Sequence, residues 1–264
     1  MNPYSTRSSS AVRQLTLGLL AASTIACGTK EAPTGLQPSG PAARIRFVNL
    51  ITDPSRNPVN AILEKLPFGV NLGYTGTTPS SFPPPNTANY SAILAGDRSL
   101  VLKKTADTSV TVASFTVTMV ANEDRTVYAV GGTGGTAVTA FSTKDTNTTT
   151  LPSAQTQVRV VNMSPTAGAL DVFITAPNAD LSAAVPFASG LAPQTASLYL
   201  VMPGGTYQFR AVPAGTAAAN RAANVIVSIA TITPALAAGT GHTIVVADNA
   251  NGTGAQRAFV LTDR

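Results

Sequence analysis

The segment RIRFVNL at residues 44–50 recurs as QVRVVNM at residues 157–163. Each copy soon reaches a proline turn, Asp53-Pro54 in the first and Ser164-Pro165 in the second. A strand-like segment that recurs together with its following turn indicates an internal repeat, and a repeat sets the architecture of the whole chain.

Two further pairs of segments recur in the same order. TVYAV at residues 126–130 parallels TIVVA at residues 243–247, and AFSTKD at residues 140–145 parallels AFVLTD at residues 258–263. A polar, Thr-rich stretch typical of a linker lies between the copies. The predicted boundaries are a first repeat over residues 44–145, a linker over residues 146–156 and a second repeat over residues 157–264.

Composition and periodicity both favour β-structure. The chain has 21 Gly and 19 Pro and only 11% charged residues, so helix-favouring residues are scarce. Ile45 and Phe47 alternate with Arg44 and Arg46, the pattern of a half-buried strand with its arginines on the opposite face. The hydrophobic share of 44% is enough for a packed core, which argues against disorder.

Short strand candidates separated by turn residues set the fold class. Leu170, Val172 and Ile174 alternate with polar or outward-facing positions, and further strands are predicted at residues 110–120, 224–233 and 242–247. About seven such strands in each copy are typical of a Greek-key sandwich, whose two sheets bury their apolar faces against each other. The predicted fold is therefore all-β, with two tandem immunoglobulin-like Greek-key β-sandwich domains.

Several motifs of the second copy resemble one known family. They are the opening strand VRVVN with its Ser-Pro turn, the strand LDVFI at residues 170–174, the turn PGGTY at residues 203–207 and the turn that begins at Ala238-Gly239. In this the chain resembles the DUF4397 family of exported bacterial domains, named for its unknown function. The likeness is looser in the first copy, where NAIL at residues 60–63 stands in place of the Asp-containing strand. The resemblance implies location and fold more than activity.

The N-terminus has the pattern of an export signal. Arg7 and Arg13 precede a short apolar run over residues 15–22, which is too short to span a bilayer. The run leads to Thr24-Ile25-Ala26-Cys27-Gly28, which resembles the lipobox of bacterial lipoproteins, although Thr24 departs from the usual Leu. We therefore predict a lipoprotein signal peptide over residues 1–26.

Cys27 is the only cysteine of the chain, so an internal disulfide is excluded. We expect it to be acylated and to anchor the protein in the lipid bilayer, since several acyl chains give lasting attachment. The lipidated Cys27 then begins a flexible stalk over residues 27–43, rich in Pro and Gly. Because Gly28 is not Asp, the pattern predicts the outer membrane wherever the host has one.

The residues that carry most enzyme chemistry are scarce. His242 is the only histidine, so neither a zinc site nor a multi-histidine site is available, and it is expected at the exposed edge of a strand. The acidic residues are dispersed, with Glu123 and Asp124 expected in a solvated turn. We predict a protein that is not an enzyme, with no catalytic, cofactor-binding or metal-binding residues.

The sequence argues against nucleic acid as a partner and leaves calcium open. The net charge of +5 includes Arg7 and Arg13 of the signal peptide, and Lys103-Lys104 is the only adjacent basic pair, so no nucleic-acid binding is expected. Calcium stays open at Asp53 or at residues 248–251, because loop oxygens suit a hard cation, although the EF-hand spacing is missing.

Two loop types remain as candidate binding elements. The glycine runs at residues 131–135 and 252–254 occupy equivalent places in the two copies and are expected to be hairpin loops, since no helix follows them. The proline-rich segment at residues 79–86 is either a stiff connector or a platform that presents Phe82 and Tyr90 to a partner.

These observations predict a membrane-anchored, non-catalytic lipoprotein of the cell envelope. Its two β-sandwich modules would serve a structural, adhesive or ligand-binding role, with a surface glycan or another envelope protein as partner. The alternatives are a carbohydrate-binding module, which the lack of Trp disfavours, and a hydrolase.

Overall fold

A computed structural model of the protein describes residues 40–79, 90–145, 150–233 and 235–263. In these residues the fold is all-β, with four sheets, several short 3-10 helices and no α-helix. No helix in this part of the chain has the length and apolar character needed to cross a membrane. The described residues belong to one compact unit.

The N-terminal half, residues 40–145, forms two sheets. Sheet 1 has the order β4-β1-β8-β9, with β5 also pairing with β1, and sheet 2 has the order β3-β2-β6-β7. All pairs are antiparallel except β1 with β8. The strands are β1 (Ala42–Ile51), β2 (Val59–Leu63), β3 (Leu66–Leu72), β4 (Thr77–Thr78), β5 (Ser91–Leu94), β6 (Gly96–Lys104), β7 (Asp107–Met119), β8 (Asp124–Gly131) and β9 (Val138–Asp145).

The C-terminal half, residues 150–263, has the same layout. Sheet 3 has the order β13-β10-β17-β18, with β14 also pairing with β10, and sheet 4 has the order β12-β11-β15-β16. Here the single parallel pair is β10 with β17. The strands are β10 (Gln155–Asn162), β11 (Leu170–Thr175), β12 (Ala188–Leu191), β13 (Thr195–Ala196), β14 (Leu200–Pro203), β15 (Gln208–Pro213), β16 (Val227–Ile229), β17 (Gly241–Ala247) and β18 (Arg257–Thr262).

Each half buries its own aliphatic core between its two sheets. In the N-terminal half, Phe47 from sheet 1 meets Leu100 and Leu102 from sheet 2, and in the C-terminal half Val160 from sheet 3 shares a core with Phe209 from sheet 4. These side chains are the inward members of the alternating patterns, so burial of their apolar surface drives the two sheets together. The result is sandwich-like in both halves.

A third apolar cluster joins the two halves, and we call it the junction. It is formed by the outward faces of sheets 1 and 3, with the buried residues Val48, Leu50, Tyr128, Val130, Val161, Met163, Val245, Ala247 and Leu261. The central sheets therefore carry apolar side chains on both faces, as sheets buried on two sides do. The four sheets form four layers, with sheets 1 and 3 in the middle.

The structure corrects several boundaries drawn from the sequence. Ala42 and Ala43 belong to β1 and not to the stalk, and Gln155 and Thr156 belong to β10 and not to the linker. The strand expected over residues 224–233 shrinks to β16, because its start lies in a 3-10 helix that ends at Asn224. The immunoglobulin-like Greek-key connectivity and the division into two separate domains stay predictions.

Candidate functional site

A buried polar cluster lies at the edge of the junction and is built around Arg46 of β1. Its Nη2 lies 2.6 Å from Oδ1 of Asp263 in the opposite half, and its Nη1 donates to the carbonyl oxygen of Thr262 at 2.8 Å. Within its own half, its Nε donates to Oγ1 of Thr126 at 3.0 Å, and its guanidinium lies 4.7 Å from the centre of the Tyr90 ring. Arg46 therefore links the two halves.

Arg159 of β10 repeats this arrangement in the reverse direction. It pairs with Asp145 of the N-terminal half, and its Nη1 donates to the carbonyl oxygen of Lys144 at 2.8 Å. Its Nε donates to Oγ1 of Thr243 at 2.8 Å, and its guanidinium lies 4.6 Å from the centre of the Tyr199 ring. Each half thus supplies one arginine and one aspartate, and the two ion pairs connect the halves in opposite directions.

The two carboxylates of the cluster also accept hydrogen bonds from their own half. Tyr90 donates to Oδ2 of Asp145 at 2.5 Å, and Tyr199 donates to Oδ2 of Asp263 at 2.9 Å. Burial by itself lowers the pKa of Arg46, but nearby Tyr90 and the carboxylates outweigh it, so the pKa lies above the ordinary value. Both arginines therefore stay charged, and the cluster is a set of matched ion pairs and not an acid–base pair.

The position of these arginines differs from the expectation. The alternating pattern places Arg46 on the open face of a half-buried strand, yet Arg46 is only 3% exposed and Arg159 only 2%. The reason is that this face packs on the other half, where an aspartate neutralises each charge. The sequence signal of this structural role is the arginine that recurs in the matching segments RIRFVNL and QVRVVNM.

Beside the junction runs a groove of about 430 Å³, which we call the junction groove. The N-terminal half contributes most of its lining, including Ile51, Asn71 and Tyr74, and the C-terminal half contributes Ala250 and Asn251. The Tyr74 hydroxyl donates to the carbonyl oxygen of Asp248, which fixes the ring between the halves. Among the described residues, no Asp, Glu, Lys, Arg or His side chain lines this groove.

Two other surface grooves differ from it in charge. One, of about 500 Å³, lies beside the cluster and is lined by Lys144, Arg159 and Tyr199 among others. The other, of about 710 Å³, lies along β7 and includes Arg56, Lys104 and Asp107. The junction groove is therefore the uncharged one of these three.

The glycine loops lie next to the junction groove and touch each other. As predicted, they connect antiparallel strands, β8 to β9 and β17 to β18. A Cβ atom added to Gly252 would lie 2.3 Å from Oγ1 of Thr133, whereas one added to Gly134 would meet nothing within 4 Å. The second loop is thus part of the contact between the halves.

This difference gives a testable prediction, because Gly134 and Gly252 both have a positive φ, 61° and 64°. Gly134→Ala should cost about 1 to 2 kcal/mol of stability through its left-handed backbone alone. Gly252→Ala should cost about 1 to 3 kcal/mol more, because its methyl group collides with Thr133. Urea unfolding of both variants measures the difference, and equal losses would show that the loops are not in contact.

His242 is buried, not exposed as the sequence suggested. It is 2% exposed because β17 lies between β10 and β18 in sheet 3. Its Nε2 lies 2.7 Å from Oγ1 of Thr240, and its Nδ1 has no hydrogen-bond partner in the described part of the chain. Burial lowers its pKa, although Asp263 partly opposes this, so the neutral imidazole is favoured.

The acidic residues considered for calcium binding or catalysis form ion pairs and hydrogen bonds within the fold. Asp53 pairs with Arg56 at 3.0 Å, and Asp248 accepts hydrogen bonds from the hydroxyls of Ser164 and Thr166. Asp124 is also buried and accepts both hydrogen bonds of the Arg44 side chain, so it is not a solvated turn residue. In the described ranges no three His, Cys, Asp or Glu side chains come close enough to hold a metal ion.

The remaining candidates have different outcomes. Tyr90 is half-buried, and its hydroxyl and ring are both used by the polar cluster. Cys27 and Phe82 lie outside the described residues, so lipidation and partner binding there stay predictions. The sequence offered no sign of Tyr74 or Asn71, while Asn251 falls in the segment considered for calcium.

In the described residues, the fold and the site define an all-β, sandwich-like protein whose buried charges join its two halves. A family model described as "Domain of unknown function (DUF4397)" matches residues 43–173. A DUF4397 domain is therefore present there, and the match covers the N-terminal half together with β10 and most of β11. No curated protein matches the sequence of the chain.

Solved structures that are similar to this chain include carbohydrate-binding modules. One is a family 41 carbohydrate-binding module from streptococcal virulence factors, described for its alpha-glucan recognition. It is 10% identical in sequence to this chain, the alignment covers 82% of this chain and 96% of that chain, and the TM-score is 0.25. Another is the family CBM26 module of Eubacterium rectale Amy13K in complex with maltoheptaose, 10% identical, with 84% and 97% covered, at a TM-score of 0.24.

Proposed function

We propose that this protein is an exported, lipid-anchored binding module of the cell envelope that does no catalysis. Its two halves are tandem copies of one sandwich domain, held as a single rigid body, and Cys27 fixes that body to the membrane through a stalk. The partner is a surface glycan or another component of the envelope, bound at the junction groove.

The junction groove is the observation that carries this proposal. It is concave, largely apolar and formed by both halves, as ligand sites at domain boundaries commonly are. The buried arginines and aspartates nearby are matched with one another and do not face the groove. A cleft with uncharged walls is suited to holding a ligand and poorly suited to proton transfer.

The anchor is tested by Cys27→Ala. If Cys27 carries the lipid, this variant should move from the membrane fraction into soluble material, because the chain keeps no other attachment of comparable strength. Fractionation with immunoblotting, together with labelled-palmitate incorporation, measures the outcome. A variant that stays in the membrane fraction to the same extent would refute the anchor.

The binding role is tested with the same soluble variant. Immobilised on beads, it should retain polymer or protein from the envelope fraction of its host, while beads carrying the heat-unfolded chain should not. Failure to retain any component of the envelope would refute the binding function, whatever the result for the anchor.

A further inference from the structure

We propose that the junction groove binds a neutral saccharide, with the side-chain amides of Asn71 and Asn251 as its hydrogen-bonding groups and Tyr74 as its packing surface. The proposal rests on the binding function proposed above and names the class of ligand. It is drawn from the chemistry of the groove lining.

Asn71 lines the groove from the N-terminal half, and Asn251 lines it from the C-terminal half. Both are exposed, and neither side chain has a hydrogen-bond partner among the described residues. Each amide offers two donors and one acceptor, so together they are suited to hydroxyl groups, which donate and accept. By contrast, the Asn57 amide donates to the carbonyl oxygen of Ile51 and is fully used within the fold.

The two asparagines are held in fixed positions. Their φ angles are 55° and 74°, a left-handed conformation that Asn tolerates and most other side chains avoid. In addition, the backbone N–H of Asn71 donates to Oδ1 of Asn60 at 2.8 Å, which ties this end of β3 to β2. Asn71 is thus presented by the end of a strand and Asn251 by a short 3-10 helix, and backbones held in this way reduce the ordering cost of binding.

The other walls of the groove are apolar. Ile51 is fully buried beneath it, Pro54 and Pro58 line one side, and the Tyr74 ring lies at the boundary between the halves. Burial raises the pKa of Tyr74 to about 12, so its hydroxyl is neutral at physiological pH. A pyranose matches such a site, because its C–H faces pack on apolar and aromatic surfaces while its hydroxyls reach polar groups at the rim.

Other ligand classes match the groove less well. An anionic polymer or a phosphate requires cations, and these line the other two grooves and not this one. Arg257 lies 5.6 Å from the centre of the Tyr74 ring, but it is not part of the groove lining. A purely apolar ligand would cover the two amides and leave them without partners, which is unfavourable.

The test uses the full chain carrying Cys27→Ala and calorimetric titration with hexasaccharides. The neutral probes are β-1,4-glucohexaose, α-1,4-glucohexaose and chitohexaose, and the charged probe is hexagalacturonate. We expect binding of at least one neutral probe and none of hexagalacturonate. Replacing Asn71 and Asn251 together by Gly should weaken that binding about a hundredfold, since each lost amide accounts for about tenfold.

Glycine is the substitute because it keeps the positive φ and removes only the amide. Asn178→Gly is the matched control: Asn178 is also exposed, has a φ of 60° and has a side chain without a hydrogen bond in the described part, but it lies outside the groove. This control should bind as the parent does. Thermal melting of all variants shows whether the fold is kept.

Three results would overturn the proposal. They are the absence of binding by every neutral probe, equal binding of hexagalacturonate, and unchanged affinity in the Asn71→Gly, Asn251→Gly double variant. If envelope material is still retained on beads in any of these cases, the binding function stands and only the saccharide assignment at the junction groove fails. If nothing is retained, the proposed function itself fails.

Discussion

Arg46→Met should lower the free energy of unfolding by about 3 to 5 kcal/mol, the cost of breaking a buried ion pair by removing one partner. The loss is large because Asp263 would remain buried and charged without the Arg46 guanidinium, which lies 2.6 Å from it in the parent protein. Thr126 would lose its hydrogen bond from Nε, and the carbonyl oxygen of Thr262 would lose its bond from Nη1. Urea unfolding of the soluble chain measures this loss.

The same strand offers the matched control. Arg44 pairs with Asp124, but the Arg44 side chain is 53% exposed and solvent screens its charge, so Arg44→Met should cost less than Arg46→Met. Similar losses for both variants would show that Arg46 is not in a buried pair across the junction.

A double variant separates the charge from the packing. In Arg46→Met with Asp263→Leu, the unpaired carboxylate is removed together with its partner, so part of the lost stability should return. If the double variant is as unstable as the sum of the two single variants, the two side chains are not coupled, and the exchange of charges between the halves is wrong.

The strands of the sandwich cores were within reach of sequence reasoning because their pattern is local. The alternation of Ile45 with Arg46, or of Val172 with its neighbours, is visible over a few residues and gives the strand and its inward face. The recurrence of RIRFVNL similarly aligned the two halves, and the structure gives both the same strand order.

The face of a strand that meets a second sheet is not encoded locally. The alternating pattern predicts that an arginine at the outward position of β1 is exposed to solvent. The prediction is wrong for Arg46 because Asp263, which neutralises it, lies 217 residues away in the sequence. The same holds for His242, whose burial depends on β10 and β18 on either side of it. Both errors came from long-range pairing and not from a wrong assignment of secondary structure.

The junction groove could not be predicted for a related reason. Its lining comes from the ends of β1 and β3, from the segments that follow them and from the loop after β17, and no motif links these parts in the sequence. Neither Asn71 nor Asn251 stands out in the sequence when it is considered alone. Only the packing of sheets 1 and 3 brings them to one cleft.

The isolated C-terminal half, residues 150–264, should form a homodimer, whereas the soluble chain with both halves should be a monomer. Alone, this half keeps the core around Phe209, but it exposes the junction face with Val161, Met163 and Val245. It also leaves Arg159 and Asp263 without their partners from the other half. An exposed apolar face with two unmatched charges favours association.

The reciprocal arrangement of the two ion pairs defines which association is expected. Arg46 and Arg159 occupy equivalent positions, opposite Thr126 in β8 and Thr243 in β17. In a twofold dimer of the C-terminal half, Arg159 of each copy would meet Asp263 of the other, as Arg46 does in the whole chain. A patch that complements itself in this way forms a closed, isologous interface.

Light scattering after size exclusion measures the mass of the isolated half, and circular dichroism shows that it is folded. Arg159→Asp should keep it monomeric, because the twofold pairing then brings carboxylates together at both ends of the interface. Arg210→Asp is the control of equal charge change, since Arg210 of β15 lies on sheet 4 and pairs with Thr175 and Ala179, away from the junction. A folded monomer for the unmodified half, or a dimer that Arg159→Asp leaves intact, would mean that the junction of this protein is not self-complementary.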